Sequence, residues 1–281
     1  MDVRTDLDME DKDILWVADL RESSAPEPME DIMAHLAQYP TTNLEDTNTI
    51  LAGATGFYIF TSGTTGMPKA AKVGQRRLLA AGGAFSKAGV RAKPSDRIYL
   101  CLPLFHGTGF ICGVNSAIFS GASMFLRRKF SASAFWPEIQ KYQCTIFFYV
   151  GELCRYLVTQ PPCPEEKNNP LTRVFGNGLR PDVWVEFKTR FGIERVCEFY
   201  GSSEGNVSFF NAFNKDKTIG FCPGTILLVE YDIEQDEIVL DQNGKYIQVE
   251  SGKPGLLLAE IDDRYRFDGY TDSAASESKT L

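Results

Sequence analysis

The run Thr145-Ile146-Phe147-Phe148-Tyr149-Val150 restricts the fold more than any other stretch of this chain. It carries no charge and no apolar–polar alternation, so both faces of the element it forms must be covered. A strand buried on both faces belongs in a parallel sheet with helices on either side. The surrounding chain keeps the matching rhythm. Strands are expected at residues 57–60, 97–101, 123–126, 145–150, 173–175 and 195–199, and helices at 76–88, 109–119, 131–142, 151–159 and 181–190. Such alternation predicts an α/β fold, a mostly parallel sheet flanked by helices. Beyond about Val207 the pattern changes. Segments 226–231, 237–240, 245–249 and 256–261 are divided by Asp241-Gln242-Asn243-Gly244 and Gly252-Lys253-Pro254-Gly255, and read as a β-rich subdomain. The first 50 residues hold one strand at 14–17, a Ser- and Pro-containing acidic linker and a short helix near 29–37.

Charge separates the same regions. The chain of 281 residues has a net charge of −8, yet 13 of its Asp and Glu against three Lys or Arg fall in residues 1–46. The body is therefore close to neutral, and nothing in the balance suits a nucleic-acid partner. Seven cysteines, odd in number and without a CxxC spacing, sit mostly in apolar runs and read as reduced core residues of a cytoplasmic chain. No basic-then-apolar leader opens the sequence. Residues 98–126 carry no charged side chain and are long enough to span a bilayer. Pro103, His106, Asn115 and four glycines interrupt them, so a buried strand–loop–helix–strand passage is expected. Peripheral contact with the cytosolic face of a membrane stays compatible with the composition.

Four loops follow expected strands, where ligands of open α/β sheets bind. The first is Thr61-Ser62-Gly63-Thr64-Thr65-Gly66-Met67-Pro68-Lys69. Its glycines bring backbone N–H groups close to an anion, its hydroxyls add donors, and Lys69 adds a fixed positive charge. This is a phosphate cradle, although the spacing is not that of a Walker A loop. The second, Pro103-Leu104-Phe105-His106-Gly107-Thr108-Gly109, sets a histidine at a strand end among glycines; a lone histidine in an apolar stretch can equally serve packing. The third, Gly176-Asn177-Gly178, suits a flat ring laid against backbone, and is also a common turn. The fourth, Tyr200-Gly201-Ser202-Ser203-Glu204-Gly205-Asn206, offers an aromatic face, hydroxyls and a carboxylate. Beside a nucleotide phosphate, that carboxylate needs a hard cation between them, and Mg²⁺ is the natural one. A solvated Glu in a turn is the alternative.

Taken together and in this order, the four loops resemble the signature of the adenylate-forming (AMP-binding) enzymes. Gly151-Glu152-Leu153-Cys154-Arg155-Tyr156-Leu157, Gly176-Asn177-Gly178-Leu179-Arg180-Pro181, Glu198-Phe199-Tyr200-Gly201-Ser202-Ser203-Glu204-Gly205-Asn206 and Arg266-Phe267-Asp268-Gly269-Tyr270 resemble its fatty acid transport protein and very-long-chain acyl-CoA synthetase branch. The resemblance implies that ATP and a long-chain fatty acid give an acyl-adenylate, from which CoA displaces AMP. It implies that Thr61, Ser62, Gly63, Thr64, Thr65, Gly66 and Lys69 hold phosphates. By the same resemblance Gly176, Asn177, Gly178 and Tyr200 frame adenine. Gly201, Ser202 and Ser203 would lie along the nucleotide, Ser203 near the α-phosphate. Glu204 would hold Mg²⁺, and His106 would sit by the carboxylate. Lys69, His106 and Glu204 are the catalytic candidates.

Some family elements are not found. There is no Thr-Gly-Asp ribose segment, hinge or lysine-bearing C-terminal domain, and Gly74-Gln75-Arg76-Arg77 stands where a His-rich stretch is expected. The resemblance thus implies three parts: 1–50, an acidic flank of a truncated first subdomain; 51–206, the α/β nucleotide- and acyl-binding core; and 207–281, the truncated β-rich subdomain. On that reading the chain is the central part of a synthetase and inactive alone. The alternatives are a non-catalytic nucleotide-binding product, or a ligase for another carboxylic acid.

Overall fold

A computed structural model describes residues 10, 15–17, 25–61 and 67–281. The chain divides into two compact units, residues 1–50 and 51–281. In the first, β1 (Leu15–Trp16) pairs in parallel with β2 (Glu30–Asp31). Helix α1 (Ile32–Leu36) follows, its N-terminus capped by Asp31, whose carboxylate accepts from Met33 N at 2.9 Å. A 3₁₀ turn spans Glu45–Thr49.

The second unit begins with an antiparallel pair, β3 (Thr55–Thr61) and β4 (Lys69–Gly74). Thr61 and Lys69 are opposite partners, so the two ends of the phosphate-type loop are held side by side. Helix α2 (Gln75–Gly83) runs on into a π-helical turn, Ala84–Gly89. Then come β5 (Arg97–Leu100), a π-helical Thr108–Val114, α3 (Asn115–Ser120) and β6 (Ser123–Leu126). This is the uncharged run, and it forms the strand–loop–helix–strand passage expected of it. No helix among the described residues is long and apolar enough to cross a membrane.

Three further crossovers follow: α4 (Ala132–Tyr142) to β7 (Ile146–Val150), α5 (Gly151–Thr159) to β8 (Arg173–Asn177), and α6 (Pro181–Phe191) to β9 (Arg195–Gly201). Strand β10 (Ser208–Phe210) closes the sheet, antiparallel to β9. The sheet order is β10-β9-β8-β7-β5-β6, with every pair from β6 to β9 parallel. The chain moves outward from β5 to β6, then crosses back to β7 and continues the other way. Right-handed crossovers then put the 108–120 helix on one face and α4, α5 and α6 on the other.

The two cores follow from this. On one face Tyr99, Phe147, Tyr149, Val174 and Val196 pack against Phe135, Trp136, Leu157, Trp184 and Phe187 of the three helices. On the other, Ile98, Leu100, Ile146, Phe148, Phe175 and Cys197 pack against Phe85, Cys112 and Ala117. Residues 146–149 are wholly buried by these two layers. The α/β, mostly parallel architecture expected from the sequence is therefore the one found.

Several details differ. The single helices expected at 76–88 and 109–119 each change pitch, to and from π-helix. The strand expected at 245–249 forms no ladder; it lies beside β11 (Ile226–Val229) through Glu230 N to Ile247 O at 2.8 Å and Val249 N to Leu228 O at 3.0 Å. Its neighbours are β12 (Tyr231–Asp232), paired with β13 (Glu237–Ile238), and β14 (Leu256–Ala259), paired with β11. A short helix, α7 (Ser273–Glu277), ends the described fold. All seven cysteines are free thiols and five are buried.

Candidate functional site

The direction of winding reverses between β5 and β7, and the carboxyl ends of the strands around this point carry three of the four loops. His106 lies exposed after β5. The Thr108 N–H donates to its Nδ1 at 3.2 Å, so Nδ1 is the accepting nitrogen of the ring. The buried Thr108 hydroxyl turns the other way and donates to Asn177 Oδ1 at 3.3 Å, at the end of β8. One residue that sequence reasoning passed over thus ties the histidine loop to the Gly-Asn-Gly loop.

The glycines beside Asn177 have separate structural reasons. Gly176 lies opposite Tyr149 in the ladder, where a Cβ would stand 2.2 Å from the Tyr149 carbonyl oxygen. Gly178 has φ of +80°, the left-handed region. Below this loop lies Glu198, 3% exposed, which accepts from Leu179 N at 2.9 Å and from the Tyr149 hydroxyl. Burial pushes its carboxyl up to about 7, against the pull of those hydrogen bonds. The same burial, with the Glu198 charge beside it, raises the Tyr149 hydroxyl well above its ordinary value. Glu198 stood within a quoted motif but drew no role from sequence, because burial cannot be seen there.

Tyr200 is 55% exposed and meets Phe209 edge to face, with ring centroids 6.1 Å apart. After Gly201 the chain turns. Ser202 Oγ accepts from Gly205 N at 3.0 Å, and Asn206 donates to Glu260 O at 2.8 Å and Tyr265 O at 3.0 Å. Arg77, from α2, donates to Ser202 O and Ser203 O, each at 2.7 Å. Burial lowers the Arg77 guanidinium, opposed by the charges of Asp268 and Glu204. Glu204 is half-buried and hydrogen-bonded with the Tyr270 hydroxyl, and its charge acts on Arg77.

Tyr270 links this loop to the first one. It is buried, bridges to Ala71 of β4, and stands under Lys69, whose Nζ is 5.8 Å from the ring centroid. Burial and then the Glu204 charge raise its hydroxyl, while Thr61 acts the other way. Thr61 Oγ1 itself donates to Lys69 O at 3.3 Å. Ser62, Gly63, Thr64, Thr65 and Gly66 lie outside the described residues.

A cavity of about 760 Å³ opens among these groups. His106, Asn177, Gly201, Ser202 and Ser203 line it; Gly176, Gly178, Tyr200, Glu204, Thr61 and Lys69 stand outside its wall. Its charged lining is Arg76, Arg77, Arg264 and Arg266 against Asp268, a balance that favours an anion. The apolar lining is Ala80, Ala81, Ala84, Ile111 and Cys112, with the larger Phe85 and Phe210. Both π-helical turns contribute to that lining, and such turns are rare and frequent at functional sites.

Comparison with known proteins identifies the family. The family model described as AMP-binding enzyme matches residues 5–260. A medium/long-chain fatty-acid–CoA ligase of Mycobacterium tuberculosis, FadD6, is 45% identical over 90% of this chain and 42% of its own. Human long-chain fatty acid transport protein 1 is 41% identical over 88% of this chain and 38% of its own. The chain thus spans about two fifths of the length of these curated relatives. Among solved structures, ATP-bound MatB from Rhodopseudomonas palustris superposes with a TM-score of 0.68 at 20% identity, over 83% of this chain and 44% of that one. That likeness shows a shared fold. The family match and the two sequence relatives go further: the chain belongs to the AMP-binding enzyme family.

Proposed function

We propose that these residues form the nucleotide- and acyl-binding part of an enzyme that activates a long-chain fatty acid with ATP and passes it to CoA. The observation that carries this reading is one cavity with both polar and apolar lining. Its polar lining joins the histidine, Gly-Asn-Gly and Tyr-Gly-Ser-Ser-Glu loops, and its apolar lining includes the small side chains of Ala80, Ala81 and Ala84. In the first step a carboxylate oxygen bonds to the α-phosphorus of ATP and pyrophosphate leaves. In the second, the CoA sulfur bonds to the acyl carbon and AMP leaves. In this reading residues 51–206 are the nucleotide- and acyl-binding core, 1–50 an acidic flank belonging to a first subdomain, and 207–281 a β-rich subdomain.

Thr61 to Gly66 and Lys69 would hold the β- and γ-phosphates. Gly176, Asn177, Gly178 and Tyr200 would frame adenine, and Gly201, Ser202 and Ser203 would follow it toward the α-phosphate. His106, whose Nδ1 accepts from Thr108 N, would donate through Nε2 to the fatty acid carboxylate. Glu204 fits Mg²⁺ as a single hard carboxylate beside the phosphates, the way this ion is commonly held. When bound, the ion would neutralise phosphate charge; the chain's own part is positioning and preorganised donors. The seven free thiols suit a reducing, cytosolic compartment.

Equilibrium binding of MgATP and AMP to this chain tests the assignment. Lys69→Ala should weaken MgATP about tenfold, roughly 1.4 kcal/mol, and leave AMP nearly untouched, since Lys69 serves the outer phosphates. Glu204→Ala should weaken MgATP and spare metal-free AMP. MgATP affinity unchanged in both variants would reject the site.

A further inference from the structure

Arg77 has no part in the roles above, yet it is the point where three separate segments meet. Its two terminal nitrogens each donate to one of two consecutive carbonyls, Ser202 O and Ser203 O, at 2.7 Å. A guanidinium fork set across two adjacent peptides fixes both planes at once, which the single ammonium of a lysine cannot do. In trans peptides the N–H points opposite to the C=O, so the N–H groups of Ser203 and Glu204 are turned away from the fork.

Arg77 lines the same cavity as Asp268, and the charges of Asp268 and Glu204 both act on its guanidinium. Asp268 Oδ2 accepts from Gly74 N at 3.1 Å, at the residue that caps α2. From Asp268 the chain runs on along β4, with Lys72 N donating to Gly269 O and Thr271 N to Ala70 O, both at 2.9 Å. The strand held this way is the one that begins with Lys69. The half-buried Arg77 thus ties the loop carrying Glu204 to α2, which follows directly on the strand carrying the phosphate lysine, while Asp268 ties the 268–271 segment to the junction between them.

We propose that Arg77 is a positioning residue: it clamps the Ser202–Glu204 turn and holds Glu204 at a fixed place relative to Lys69, prearranging the site for a metal-bound triphosphate. This rests on the functional reading above. Removing the fork takes away the donor to each of the Ser202 and Ser203 carbonyls, so the turn should loosen and Glu204, the next residue, should move.

The test compares the wild type with Arg77→Lys and Arg77→Ala. Arg77→Lys keeps the charge and should still weaken MgATP tenfold or more, while metal-free AMP, which shares the Ser202 and Ser203 contacts but not the Glu204 one, weakens by a clearly smaller factor. Millimolar methylguanidinium should recover part of the loss in Arg77→Ala and none in Arg77→Lys. A parallel fall of MgATP and AMP affinity together with melting temperature would reduce Arg77 to a structural residue and overturn the proposal, as would unchanged MgATP affinity in Arg77→Lys. Hydrogen exchange of the ligand-free protein separates this from a failure of the functional reading. Amides of residues 203–206 should exchange at least tenfold faster in Arg77→Lys whether or not the wild type binds nucleotide; unaltered exchange there overturns the clamp by itself.

Discussion

A methyl group placed on Gly176 would stand 2.2 Å from the Tyr149 carbonyl oxygen and 2.7 Å from the Tyr149 ring, with β7 fixed alongside in the ladder. Neither backbone nor a wholly buried tyrosine can give way cheaply, and overpacking of this kind costs about 1–3 kcal/mol. Gly176→Ala should accordingly lower the urea midpoint by that amount at an unchanged m-value. Gly178→Ala, on the exposed side of Asn177, should cost about 1 kcal/mol through its positive φ alone. Equal effects of the two changes would contradict this account. In the sequence both glycines suggested one thing, room for a flat ligand. Their different reasons were invisible because one depends on the partner strand and the other on a single dihedral angle.

At the scale of elements, the parallel strands were legible because a strand buried on both faces must be apolar throughout, as residues 146–150 are. The two π-helical turns were not. A helical pattern of apolar residues reads alike for either pitch, and the local packing is set by partners far along the chain. A Cβ on Gly113 would meet Leu100 of β5 at 2.7 Å, and one on Gly82 would meet Phe119 at 2.3 Å. Equally hidden was the carboxyl of Glu198, held between β7 and the turn after β8. Its folded value near 7 lies above the ordinary value of 4.5, so between those limits the folded state binds more protons than the unfolded chain. Stability therefore falls as pH rises through that window, by an amount on the order of 3 kcal/mol. Glu198→Gln keeps an oxygen for Leu179 N and an amide for Tyr149, and it does not ionise. The wild type should lose more unfolding free energy than this variant between pH 5 and pH 8; parallel pH profiles would mean that Glu198 does not titrate in this range.

For the molecule as a whole, the nucleotide-side loops could be found in the sequence because each is a polar, glycine-bearing interruption after an apolar strand. The groups that join them could not: Arg77 meets Ser203 across 126 positions and Gly74 meets Asp268 across 194. The apolar lining of the cavity was unreadable for a related reason. Alanines 80, 81 and 84 look like ordinary helix residues until the fold brings Ile111 and Cys112 into the same cavity wall. If this lining takes the acyl chain, each methylene it buries contributes about 0.8 kcal/mol, and blocking four of them should weaken binding roughly a hundredfold. Ala84→Trp puts an indole there, away from the residues assigned to the nucleotide. A non-hydrolysable palmitoyl-adenylate analogue should bind this variant at least tenfold more weakly than the wild type, while AMP and an acetyl-adenylate analogue change less than twofold. A common fall in all three would place the nucleotide, rather than the acyl chain, against the small-residue lining of the cavity.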